Sequence, residues 1–128
     1  MGGRVVVRAA GVAASVLIAV GGAGPVEAVG AGGVRLAVTD GGKTRSVVLE
    51  CEPAPHGRHP QAARACAALD VAGGDFDALP GERGICHDPY APVVATADGR
   101  FRGRGVKWRK KFANACIARV ATGPVFAF

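Results

Sequence analysis

Serine is nearly absent from this chain. Of its two serines, Ser15 lies in an N-terminal apolar stretch, which leaves Ser46 as the only one in the body of the chain. No Ser-His-Asp or Cys-His arrangement suggests itself, so the residues do not point to an acyl-transfer enzyme. No apolar run reaches the roughly 20 residues that a bilayer-spanning helix needs. The four cysteines contain no close C-x-x-C pair of the kind zinc modules use, although His56 and His59 in "HGRH" with a cysteine keep a zinc site open as a minor alternative. The glycine-rich turns sit between strand-like segments with no helix opening after them, so they are not phosphate loops. There is no internal repeat and no sign of a second domain. The 128 residues, with a formal charge of +6, fit one small domain.

The first 28 residues have a different character from the rest. Arg4 and Arg8 precede the apolar run Val12 to Val20, and "GGAGPVEA" follows with Val26 and Ala28 as small residues at its end. This is the pattern of a secretory signal cut after Ala28. A membrane anchor is the competing reading, and the run is short for it. Residues 29–33 then form a flexible leader, and 34–128 the domain. Removal of 1–28 takes away Arg4, Arg8 and Glu27 and leaves a charge of +5 on a secreted, extracellular chain. Cys51, Cys66, Cys86 and Cys116 all lie in that part. An even number of cysteines in a small exported chain reads as disulfides. Three pairings are open, and the sequential one is the most local.

Periodicity predicts the elements. Val34, Leu36 and Val38 alternate with Arg35 and Ala37, and Val47 and Leu49 continue the pattern. Asp40-Gly41-Gly42 between them supplies a hairpin turn. "EPAPHGRHP" (52–60) reads as loop. "QAARACAALDVA" (61–72) has strong helix propensity, with Ala62, Cys66 and Leu69 on one face and Gly73-Gly74 as the stop. A second hairpin is expected over 93–108 with Asp98-Gly99 at its turn, then a short helix in "RKKFANAC" (109–116) and a closing strand in "IARVATGPVFAF" (117–128). The class is α+β with an antiparallel sheet.

Two stretches carry candidate chemistry. "GICHDPYAPV" (84–93) has a cysteine at its head, two prolines, and Asp88-Pro89 at its centre. Asp-Pro often starts turns, and a bland turn is the default for that pair taken alone. "RFRGRGVKWRKK" (100–111) holds seven Lys or Arg in twelve residues, with Phe101 and Trp108 interleaved. Such a pattern binds nucleic-acid strands or other anionic polymers, or else is a solvated strand edge whose charges discourage aggregation.

The segment "HPQAARACAALDVAGGDFDAL" (59–79), the cysteine spacings, the Tyr-x-Pro after Cys86 and the terminal "VFAF" (125–128) give the chain its resemblance to the Streptomyces subtilisin inhibitor-like family. The resemblance covers about 34–128. It implies a five-stranded antiparallel sheet with two short helices, the disulfides Cys51–Cys66 and Cys86–Cys116, a homodimer, no cofactor, and standard-mechanism inhibition of subtilisin-type serine proteases. By position it makes Ile85 the P4 residue, Cys86 P3, His87 P2, Asp88 P1, Pro89 P1′ and Tyr90 P2′, with Pro92 stiffening the exit. P1 is the side chain that enters the protease's main specificity pocket. Members usually carry Met, Lys, Arg or another long side chain there, and no proline at P1′. The resemblance therefore leaves two functional readings, a loop retargeted to an acid-directed protease or a scaffold that no longer inhibits. Binding of an anionic polymer through 100–111 is a third, independent one.

Overall fold

The computed structural model describes residues 32–128, together with Gly2 and Gly3. Apart from those two glycines, the expected signal sequence lies outside the described residues, as does the start of the leader. Gly33 already belongs to the first strand.

The first hairpin forms where the alternation places it. β1 (Gly33–Asp40) pairs antiparallel with β2 (Lys43–Glu50). They join through Gly41 and Gly42, both at positive φ, the backbone that a two-residue turn between twisted strands requires. β3 is a two-residue bridge, His56–Gly57, within the stretch read as loop. α1 (Ala62–Val71) follows and ends before Gly73-Gly74. A single 3-10 turn, Phe76–Ala78, leads into an irregular segment. β4 (Val93–Phe101) and β5 (Arg104–Phe112) form the second hairpin, and α2 (Ala115–Thr122) closes the regular structure. The sheet order is β3-β2-β1-β4-β5, antiparallel throughout.

Three sequence expectations are corrected here. The second hairpin turns at Arg102-Gly103 and not at Asp98-Gly99. Both turn residues have positive φ, and the strain this puts on a non-glycine is offset by three contacts of the Arg102 guanidinium. It donates to both carboxylate oxygens of Asp70 (2.6 and 2.9 Å) and to Glu52 (2.6 Å), which ties the turn to α1. The same contacts hold the Asp70 carboxyl below its ordinary pKa. Gly99 serves a different purpose, since a Cβ there would sit 2.2 Å from the Gly33 carbonyl oxygen of the neighbouring strand. The second correction concerns 109–116, where Arg109 to Phe112 belong to β5 and only Ala115 and Cys116 begin the helix. The third concerns 117–128, which is α2 followed by an unpaired buried tail rather than a strand.

One face of the sheet carries the core. Val34, Leu36 and Val38 of β1 align across the ladder with Leu49 of β2 and with Val93, Ala95, Ala97 and Phe101 of β4. Ala65, Cys66 and Leu69 of α1 and Ala118 of α2 pack on this face, with Val125 and Phe126 of the tail. Phe76, Trp108 and Phe126 stack at centroid separations of 5.4 to 6.1 Å. The disulfide Cys51–Cys66 joins the end of β2 to α1. Closing a loop of 15 residues contributes about 3 kcal/mol in the chain-entropy model.

His59 fixes the tail. It is buried, with Nε2 donating to the Val125 carbonyl (2.7 Å) and Nδ1 accepting from the Gln61 backbone N–H (2.9 Å). Both ring nitrogens are thus engaged in the neutral form, and burial lowers the pKa. Because the unfolded chain takes up this proton first, the contribution of His59 is complete above about pH 6.5 and declines as pH falls below it. Denaturant midpoints at pH 7.5 and pH 5 should show this decline in the wild type, and less of it in His59→Gln. An identical decline in both would remove His59 from the account. His56, by contrast, is exposed and pairs with Glu50 at 2.7 Å.

Candidate functional site

Residues 79–92 form neither helix nor strand, yet scaffold contacts hold them along their length. They lie against α2. The Glu82 N–H donates to the Val120 carbonyl at 2.9 Å. Gly81 permits this approach, since a Cβ on it would come within 2.2 Å of the same carbonyl oxygen. Farther on, the disulfide Cys86–Cys116 joins the segment to the first turn of α2. It closes a loop of 30 residues, which contributes about 3.5 kcal/mol on the same model. Downstream, the Ala91 N–H donates to the Ala113 carbonyl at 2.9 Å, and Val93 then enters β4.

Between these anchors the chain projects outward. His87, Asp88 and Pro89 are exposed, as are Ile85 at 83% and Tyr90 at 71%. An apolar side chain and an aromatic one thus flank the exposed tip on either side. Cys86 is half-buried beneath the tip. The structure therefore brings all six residues singled out in the sequence into one continuous protrusion.

Sequence reasoning missed Asn114. Its Oδ1 accepts from the Ile117 N–H (2.8 Å) and caps α2, while its Nδ2 donates to the Asp88 carbonyl (3.2 Å). The residue itself is 5% exposed, and both bonds are partly buried. A single side chain thus connects the loop tip, α2 and the Cys116 anchor. An Asn ahead of an apolar helical pattern is a legible cap signal, and it was obscured by assigning "RKKFANAC" to one helix. We expect Asn114→Ala to lower stability by about 1 kcal/mol through loss of the cap. Asn114→Asp keeps the capping oxygen and removes only the donor to Asp88, so it should spare stability and still weaken any activity of the loop. Equal activity of the Asp variant and the wild type, measured beside thermal unfolding, would show that the tether is dispensable.

The second candidate stretch is divided by the structure. Phe101 is buried, and Trp108 packs on Phe76 and Phe126 with its Nε1 donating to Asp77 (3.0 Å). Neither ring forms a platform for a ligand. The zinc alternative loses its donors, since all four cysteines are in disulfides and the His59 nitrogens are already bonded. Among the described residues, no helix is long and apolar enough to cross a membrane.

A small antiparallel sheet with two helices, stapled twice and presenting a rigid exposed loop beside one disulfide, is the build of a protease-inhibitor domain. Comparison with known proteins places it further: residues 30–114 match the family model described as subtilisin inhibitor-like, and the chain belongs to that family. It is 46% identical over 85 residues to subtilisin inhibitor-like protein 7 of Streptomyces ambofaciens, covering 66% of this chain and 78% of that one. Identity to subtilisin inhibitor-like protein 2 of Streptomyces rochei is 47% over 85 residues, covering 66% and 75%. Among solved structures it is similar to Streptomyces caespitosus sermetstatin in complex with Bacillus licheniformis subtilisin, with a TM-score of 0.62 and 31% identity over 75% of this chain and 97% of that one.

Proposed function

We propose that the chain is a secreted inhibitor that seats the loop 85–90 in the active site of a subtilisin-type serine protease, with Asp88–Pro89 as the reactive bond. The observation that carries this reading is the threefold restraint on an exposed tip. Cys86–Cys116 holds the entry, Asn114 holds the Asp88 carbonyl, and the Ala91–Ala113 bond holds the exit. Ordering entropy is then lost on folding and not on binding, which raises affinity without adding contacts. Protease–inhibitor interfaces of ordinary size, about 1,600 Å², are among the tightest known. The same restraints keep the two ends together if the bond is cut.

Asp88 decides which protease is accepted. A carboxylate entering an apolar specificity pocket is desolvated without a partner, whereas a cationic pocket pairs it. Pro89 removes a backbone N–H and crowds the leaving side, so the bond resists cleavage and Asp88 is biased toward extended backbone. The reading therefore favours an acid-directed protease over subtilisin itself. Titration of both, with chromogenic substrates, tests it. One-to-one inhibition of a Glu- or Asp-directed serine protease with weak inhibition of subtilisin is expected. Failure against both, with the chain folded, would favour a scaffold that does not inhibit. The homodimer implied by the family resemblance belongs to this reading, and equilibrium sedimentation checks it.

A further inference from the structure

The tip of the loop holds the parts of a reaction that needs no protease. Asp88–Pro89 is the only Asp–Pro pair in the sequence. Both residues are exposed, and the Asp88 carboxylate forms no ion pair with a described residue. Its main-chain carbonyl, by contrast, is held. Asn114 Nδ2 donates to that oxygen at 3.2 Å, and Asn114 is itself fixed by the cap it makes on α2 at 2.8 Å. The carboxyl group is thus free to turn, while the carbonyl beside it is polarised and kept in place. The other charged and titratable groups of the elements around the tip are Glu82, Arg83, His87 and Tyr90 of the segment itself, Arg119 of α2 and Lys111 near the end of β5.

Pro89 decides which reaction follows. After most aspartates the next backbone nitrogen can close on the side-chain carboxyl, and the chain stays whole as a cyclic imide. Pro89 has no N–H to give up, so that route is shut. The carboxyl can instead attack the Asp88 carbonyl carbon. A carboxyl oxygen then bonds to that carbon to form a five-membered anhydride, the Asp88–Pro89 C–N bond breaks, and the carboxyl proton passes to the departing Pro89 nitrogen. One water opens the anhydride and leaves Asp88 with its side-chain carboxyl and a new terminal carboxyl. The sum is hydrolysis of one peptide bond, with no oxidant or cofactor. As the ring closes, negative charge collects on the carbonyl oxygen, where the Asn114 donor already points. The tertiary amide nitrogen of proline accepts a proton more readily than an ordinary peptide nitrogen. The ring that obstructs attack by a protease therefore assists departure from within, and acid speeds it.

We propose that the folded chain cleaves its own Asp88–Pro89 bond in acid, with the Asp88 carboxyl as nucleophile and Asn114 stabilising the oxygen of the carbonyl under attack. The product stays in one piece, because Cys86 lies before the cut and Cys116 after it. The new end at Pro89 stays close to the scaffold through the bond between the Ala91 N–H and the Ala113 carbonyl. The intact loop thus has a limited lifetime in acidic surroundings and gives way to a two-chain form. This holds whether or not the loop enters a protease.

The test follows the intact mass of the purified protein at about pH 4 and about pH 7.5, with a serine-protease blocker present. A first-order gain of one water is expected, at least about tenfold faster at the lower pH. The product should separate, only after reduction, into one piece ending at Asp88 and one beginning at Pro89. Asp88→Ala and Pro89→Ala should stay whole over the same period. Asn114→Ser keeps a capping oxygen and withdraws the amide donor, and it should be cut about tenfold more slowly. Wild type unfolded in guanidinium chloride at about pH 4, with its bridges intact, should also be cut more slowly than the folded chain. Circular dichroism checks the fold of each variant. A wild type that stays whole at about pH 4, or one cut at another bond, would overturn the proposal. Equal rates in the folded and unfolded chain, or in the wild type and folded Asn114→Ser, would reduce the reaction to ordinary Asp–Pro chemistry and overturn it as well. No protease takes part, so these outcomes are separate from those of the inhibition assays.

Discussion

Replacing Asp88 by Met and Pro89 by Val should tighten binding to subtilisin at least a hundredfold. The expected gain has two sources. Removing a carboxylate that must leave water for an apolar pocket recovers several kcal/mol, of which about 2.8 kcal/mol would suffice for a hundredfold change. Removing the proline ring restores a backbone N–H and relieves crowding on the leaving side. The scaffold needs no adjustment, because both side chains are exposed and the bond that holds the tip uses the Asp88 main-chain carbonyl. Inhibition constants of the wild type, both single variants and the double variant check this. If the double change leaves inhibition of subtilisin where it was, the reactive bond is not between residues 88 and 89.

Opening the disulfide Cys86–Cys116 should abolish inhibition, and opening Cys51–Cys66 should not. The loops closed by the two bridges span 30 and 15 residues, so the chain-entropy model assigns them similar stabilities, about 3.5 and 3 kcal/mol. Their positions differ. Cys51–Cys66 lies in the core between β2 and α1, whereas Cys86–Cys116 is the anchor immediately before the exposed tip. Serine pairs at each site, compared at a temperature where both chains are folded, separate the loop effect from the stability effect. The Cys86→Ser, Cys116→Ser chain should lose inhibition while keeping its fold, since the loop must then be ordered at the moment of binding. Retained inhibition by that chain would show that preorganisation of the loop does not depend on the bridge.

The first hairpin and α1 were legible because their signals agree. Val34, Leu36 and Val38 alternate, two glycines follow, and an alanine-rich segment ends at another glycine pair. The second half was harder to read for physical reasons. Cations occur on both faces of β5, since Lys110 can reach water from the core side of an edge strand, and this masks the alternation. Asp98-Gly99 has turn chemistry, but the glycine is required by the close approach of β1, and the turn falls on Arg102, a residue that only long-range ion pairs qualify for it. The apolar tail reads as a strand from its composition, yet it is held by side-chain packing and by His59, 66 positions away from Val125. The protruding loop was visible from its cysteine and prolines. The Asn114 tether was not, because no local pattern connects it with Asp88, 26 residues earlier.

The most direct test of the account is binding of the Asp88→Met, Pro89→Val chain to subtilisin whose catalytic serine has been blocked by a small sulfonyl fluoride, compared with the free enzyme by calorimetry. A loop that fills the active site predicts tight one-to-one binding to the free protease and loss of most of that affinity to the blocked one. Equal affinity for the two forms would place the contact elsewhere on the protease and contradict the assignment of residues 85–90 as the inhibitory loop.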